Sequence, residues 1–219
     1  MNIHNLSLKD SLVGHFLTEL RDVDIQMDRM RFRKNLERIG QIMAYEISKT
    51  LDYGSLEVET QLGISDSRAI AVQPILATIF RAGIPMHHGF LSFFDQAENA
   101  FVSAYRREHK DGSFEIKIEY ISTPPLDGRP LIICDPMLAT GLSMTNTLDA
   151  LREFGEPSSI HIATVLASTD GVEHVERTYP DVNIWTAAVD EELTARSYIV
   201  PGLGDAGDLA YGAKDAADY

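Results

Sequence analysis

The chain has 219 residues, with 19 Lys and Arg against 33 Asp and Glu for a formal charge of −14, and 44% hydrophobic residues; this suits one globular domain with its own core. A single cysteine, Cys134, excludes an intrachain disulfide and a cysteine-based metal site. No apolar run reaches the roughly 18 residues that span a bilayer, and MNIHNLSLKD has neither a basic n-region nor an apolar h-region, so a soluble, cytoplasmic protein is expected.

In chain order, Phe32, Leu36, Ile39, Met43 and Ile47 recur at helical spacing, with Arg31, Arg33, Lys34, Glu37 and Arg38 between them, which predicts an amphipathic helix from about Asp28 to Leu51. Ala69 to Val72 reads as a short buried strand. Pro74 suits a first helical turn, and the apolar stretch Ile75 to Phe80 would complete a βα unit ending near Arg81-Ala82-Gly83. Ala100 to Tyr105 is a strand candidate, and Ile116, Ile118 and Tyr120 alternate with charged residues, so the two are expected to pair as an antiparallel flap. From Leu131 the pattern sharpens: a buried strand to Cys134, a loop over residues 135–142, and a helix from Ser143 to Phe154 ended by Gly155. Ile160 to Ala167 and Val182 to Val189 are two further strands around a helical segment from Gly171 to Thr178. The order βαβαβ predicts an α/β protein with a mostly parallel, twisted sheet and helices on both faces. Tyr198 to Gly212, with four glycines and Pro201, reads as a loop, and there is no internal repeat, low-complexity tract or domain linker.

The charge is uneven: residues 1–110 carry −1 and residues 111–219 carry −13. An acidic second half argues against a nucleic-acid binder, which needs clustered Lys and Arg, but leaves room for a small phosphorylated ligand. The segment Asp135-Pro-Met-Leu-Ala-Thr-Gly-Leu-Ser143, between a strand and a helix, is where unpaired backbone N–H groups and the helix dipole welcome an anion. Thr140 and Ser143 add hydroxyls, Gly141 lets the backbone approach, and Asp135 at the strand's carboxyl end can accept from ribose hydroxyls. As composition alone, such a turn is more often an N-cap, and no Walker loop occurs. The adjacent His87 and His88 point to different sides of a helix and read as no metal site, and Cys134 reads as packing.

Together with Tyr198-Ile-Val-Pro-Gly-Leu-Gly-Asp-Ala-Gly-Asp208, the 135–143 segment resembles the uracil phosphoribosyltransferase family. Lesser matches at Phe32-Arg33, Tyr45-Glu46, Arg81-Ala-Gly83, Tyr105-Arg106 and Pro180-Asp-Val182 run in family order along nearly the whole chain. The resemblance implies a type I phosphoribosyltransferase fold over residues 1–219, with an N-terminal helical arm over 1–52 and a base-binding hood over 190–219. It also implies a reaction: uracil and 5-phosphoribosyl 1-diphosphate (PRPP) give UMP and diphosphate, with Mg²⁺, in UMP salvage. Asp135, Pro136, Met137, Leu138, Ala139, Thr140, Gly141, Leu142 and Ser143 would hold PRPP, the hydroxyl and glycine positions cradling its 5'-phosphate. Arg81 and Arg106 would contact its diphosphate. Tyr198, Ile199, Gly204, Asp205 and Ala206 would bind uracil, with Asp205 also facing PRPP, and no residue would ligate Mg²⁺ directly. A homodimer or higher homo-oligomer is expected, GTP is a candidate effector, and neither nucleic acid nor membrane is a partner.

These assignments cohere physically. Cleaving the bond from C1 to diphosphate builds negative charge on the leaving group, which Arg81, Arg106 and Mg²⁺ would offset. A backbone-lined pocket tells uracil from cytosine because a donor facing the cytosine amine goes unpaired, at about 1–3 kcal/mol or roughly five- to 150-fold per contact. Asp205 is the candidate base for uracil N1, and positioning could supply the rate in its place. Two departures stand out. Leu142 takes the place of a common second glycine, which fits if its φ stays negative, and Leu209 follows Asp208 where a basic residue is common. The alternative function is a catalytically silent regulator that binds PRPP or UMP on the same fold.

Overall fold

The structure is a computed structural model that describes residues 2–108 and 114–213. Its elements are β1 (Asn2–Asn5), a 3-10 turn (Leu6–Leu8), α1 (Leu12–Arg21), α2 (Arg29–Ser48), β2 (Tyr53–Thr60), β3 (Gly63–Ile70), β4 (Ile75–Phe80), α3 (Ile84–Leu91), β5 (Glu98–Glu108) and β6 (Phe114–Ser122). After them come β7 (Pro130–Cys134), β8 (Met137–Leu138), α4 (Leu142–Arg152), β9 (Ser159–Ser168), α5 (Thr169–Thr178), β10 (Asn183–Asp190), β11 (Glu192–Leu193), β12 (Ile199–Val200) and α6 (Ala206–Tyr211). The central sheet has the order β1-β10-β9-β7-β4-β5-β6, and only the β5/β6 pair is antiparallel.

Side chains alternate between the two faces of this sheet, which is why each face has its own core. On one face Leu76, Ile132, Cys134, Ala163 and Val165 pack against α1, α2, α3 and α6. Ile75, Ala77, Leu131, Ile133 and Ile162 pack on the other, against α4 and α5. The five apolar positions that predict α2 are all buried, each worth about 1.5–3 kcal/mol of burial. Asp28 caps α2 by accepting from the Arg31 N–H, as the predicted start requires. The basic face of α2 is tied down: Arg31 pairs with Glu19, Lys34 with Glu37, and Arg38 donates to Asn35.

Three expectations need correcting. Ile75 to Phe80 is not a helix but β4, between β7 and β5. A strand covered on both faces reads as a continuous apolar run, which periodicity cannot tell from a short buried helix. Ala69 and Ile70 end β3 of an exposed hairpin rather than a buried strand, and β2 and β3 pair only with each other. The tail is not all loop: β12 pairs with β11 and α6 follows, because Asp205 caps the short helix through the Asp208 N–H. At the far edge, β1 joins β10, with the His4 ring stacked 3.7 Å from that of Trp185.

Candidate active site

Parallel strands put their carboxyl ends on one edge, and the chain's functional candidates leave from it. Arg81 follows β4, Asp135 follows β7, and Ser168 and Asp190, which face each other in register, end β9 and β10. The Arg81 and Asp135 turns are pressed together. A Cβ on Gly83 would lie 2.5 Å from the Cys134 carbonyl and 2.4 Å from Thr78 Oγ1.

The 135–143 loop is held from outside, which leaves its inner face free. Leu138 pairs with Ala167, the Pro136 carbonyl accepts from Leu166 N at 2.9 Å, and Ser168 Oγ donates to the Ala139 carbonyl. Gly141 turns the chain into α4 at φ 78°, where a Cβ would meet the Gly171 carbonyl at 2.9 Å. No side chain caps α4, and the N–H groups of Ser143 and Met144 have no acceptor among the described residues. Together these groups border a cavity of about 60 Å³, roughly two water volumes, between Asp135 and Met144. Leu142 is the first residue of α4 and keeps a negative φ, so it replaces glycine without strain.

Asp135, which lines that cavity, is only partly open to solvent. Burial pushes its carboxyl up to about 7, against the Met137 N–H that holds it down. Cys134 beneath it is fully buried; burial, and then the Asp135 charge, push its thiol well above the usual range, which makes it packing rather than a nucleophile.

Arg81 connects this edge to the tail. Its Nη2 donates to Asp208 Oδ1 at 2.9 Å and to the Gly212 carbonyl at 3.3 Å, while its Nε is buried with no acceptor among the described residues. Asp205 is close by: a Cβ on Gly207 would stand 3.2 Å from Asp205 Oδ1 and 3.7 Å from Arg81 Nη2. Leu209, at the departing position, packs against the core, and Arg33 of α2 donates to the Ala210 carbonyl at 2.7 Å.

A second tie secures the base-side segment. Arg21, ending α1, makes two bonds of 2.8 Å and 2.7 Å to the nine-tenths buried Asp190 and one of 2.9 Å to the Gly202 carbonyl. Asp190 in turn accepts from the Gly202 N–H at 3.0 Å. Burial alone would raise the Asp190 carboxyl, but Arg21 and this N–H hold it below its ordinary value. Gly202 has φ 60° and its missing Cβ would lie 2.1 Å from the Ile199 carbonyl, so only glycine fits the clamp.

The structure thus brings together Arg81, Asp135 to Ser143, and Asp205. Tyr198 is exposed and Ile199 buried on either side of the β12 start, and Ala206 opens α6. The backbone of Arg106 pairs with Ile116, and its side chain lies outside the described residues. Arg21 and Asp190 are site-shaping residues that the sequence reading does not single out, and Asp208 stands there only as part of the tail motif, without the role of holding Arg81. Asp190 carries one sequence signal, its place at the carboxyl end of a strand.

A family model described as uracil phosphoribosyltransferase matches residues 7–213. A uracil phosphoribosyltransferase of Porphyromonas gingivalis is 51% identical over 98% of this chain and 100% of its own length. One of Pyrococcus furiosus is 38% identical over 94% of this chain and 89% of its own length. The solved structure of the AQ2163 protein from Aquifex aeolicus superposes with a TM-score of 0.87 at 29% identity, covering 97% of this chain and 99% of that one. The match takes in every element that builds this sheet edge, and the chain belongs to the uracil phosphoribosyltransferase family, whose members are pentosyltransferases.

Proposed function

We propose that this chain transfers the phosphoribosyl group of PRPP to uracil, giving UMP and diphosphate, in the salvage of uracil. The observation that carries this reading is the place of Arg81, on a turn pressed against the Cys134 carbonyl just before the 135–143 loop and ion-paired with Asp208 of the tail. The bond from C1 to the diphosphate oxygen breaks and its electron pair leaves with diphosphate, while uracil N1, freed of its proton, bonds C1. Arg81, joined by Arg106, meets the negative charge that develops on the leaving group. The N–H groups of Ser143 and Met144 and the hydroxyls of Thr140 and Ser143 take the 5'-phosphate, and Asp135 accepts from the ribose hydroxyls. With the Ile199 side chain in the core, base recognition falls to backbone groups from Tyr198 to Ala206, set in place by the Gly202 clamp.

Asp205 is an exposed carboxylate with one oxygen engaged in capping α6, which suits contact through water with an Mg²⁺ carried by the diphosphate, and suits taking the N1 proton. When bound, Mg²⁺ supplies neutralisation of the diphosphate charge. GTP is the effector to test. No helix among the described residues is long and apolar enough to cross a membrane. The cytoplasm is the proposed location, as the supply of PRPP for such a transfer requires. A homodimer or larger homo-oligomer fits the β2/β3 hairpin, whose Leu56, Leu62 and Ile64 are exposed.

The test is UMP formation from uracil and PRPP with and without Mg²⁺, with cytosine, hypoxanthine and orotate as controls. Metal-dependent product from uracil alone is expected. Arg81→Ala is expected to lower kcat by roughly 10²–10³, as removal of a charge-stabilising donor does elsewhere. PRPP binding without any product would favour the silent regulator instead.

A further inference from the structure

Arg81 presents a guanidinium with its donors unequally used. Nη2 is filled by two acceptors from the tail, the Asp208 carboxylate and the Gly212 carbonyl, whereas the buried Nε has none among the described residues. A guanidinium is a rigid planar fork, so holding Nη2 fixes the orientation of the whole group. The Asp208 side chain is not needed to start α6, because Asp205 is the cap and receives only the backbone N–H of Asp208.

We propose that Asp208 is a positioning residue: from the base-binding tail it holds the Arg81 guanidinium in place at the strand-end edge where the diphosphate of PRPP binds. This rests on the transferase reading above and deepens it, since one ion pair then ties the uracil side of the site to the diphosphate side. Two effects of the Asp208 charge oppose each other, which gives the proposal a sign. A carboxylate beside a cation weakens that cation's pull on a polyanion, so electrostatics alone has PRPP bind more tightly once Asp208 is removed. Positioning requires weaker binding.

Asp208→Ala and Asp208→Asn are compared with the parent enzyme for KM of PRPP, KM of uracil, the inhibition constant of diphosphate, and melting temperature. In Asp208→Ala the PRPP KM and the diphosphate constant are expected to rise roughly three- to fivefold, the upper scale of a half-exposed ion pair, with the uracil KM changed by less than about twofold. Asp208→Asn keeps an oxygen to accept from Nη2 and is expected to recover most of that loss. Unchanged or tighter PRPP binding in Asp208→Ala overturns the proposal. So does a parallel rise of both KM values with a lowered melting temperature, which would mark a purely structural role. Should Asp208→Ala not fold, Asp208→Leu, which keeps bulk without an acceptor, decides by the same criteria. A parent enzyme that makes no UMP overturns the transferase reading, whereas an active parent with an indifferent Asp208→Ala overturns this proposal alone.

Discussion

Asp135 shows how much of a residue's chemistry lies in its surroundings. Its place after a buried strand is legible from the sequence, but the upward push of its carboxyl to about 7 comes from its burial in the folded chain. An acid whose folded pKa exceeds its unfolded value of 3.8 keeps its proton in the folded state between the two values, so stability falls as pH rises from about 4 to about 7 and levels off above. Asp135→Asn has no charge to lose. Thermal unfolding is therefore expected to show the melting temperature of Asp135→Asn gaining on the parent from about pH 4 to about pH 8. Ribose hydroxyls donate to the ionised form, so PRPP affinity of the parent is expected to rise between about pH 6 and pH 8 relative to Asp135→Asn, a comparison that cancels the ionisation of PRPP itself. Equal pH profiles in calorimetric titrations would contradict both the raised carboxyl and its ribose contact.

Among the elements, the phosphate-type loop owes its shape to a helix that follows it by nearly thirty residues. Gly141 and Gly171 pass so closely that a Cβ on either would touch the other's segment, at 2.9 Å from the Gly171 carbonyl and 2.3 Å from the Ala139 carbonyl. Gly141→Ala adds a methyl group in a left-handed conformation, at about 1–2 kcal/mol, and forces the loop off α5. Denaturant unfolding is expected to show a loss of at least that size, accompanied by a raised PRPP KM; a variant as stable and active as the parent would show that the contact is not needed. The Asp-Pro-Met-Leu-Ala-Thr-Gly run is readable as a loop without its partner. The apolar run of β4 is not readable as a strand, since what makes it one is β5 and β7 on either side.

For the molecule as a whole, long-range ties decide how the two ends of the chain meet the sheet. Arg21 reaches Asp190 and Gly202, and Arg33 reaches Ala210, so α1 and α2 hold the tail over the sheet edge. Among the described residues the β2/β3 hairpin pairs with no other strand, and Leu62 at its tip is fully exposed, with Ile64 at 73%. Exposed apolar side chains at the tip and along the strands of a hairpin suit burial against a second copy. Leu62→Asp combined with Ile64→Asp is expected to shift the protein toward monomer at micromolar concentration in sedimentation. A parent enzyme already monomeric there would count against the homo-oligomer.

The amphipathic helix, the βαβαβ order, the phosphate-type loop and the glycine-rich tail were determined by sequence alone, because each rests on local spacing and backbone permissiveness. The tertiary structure alone decided that β1 completes the sheet at the far edge, that residues 75–80 are a strand, and that Arg81 meets Asp208 and Arg21 meets Asp190. Those pairs are 127 and 169 residues apart, and no local pattern encodes a contact whose partners are brought together only by the packing of the whole sheet.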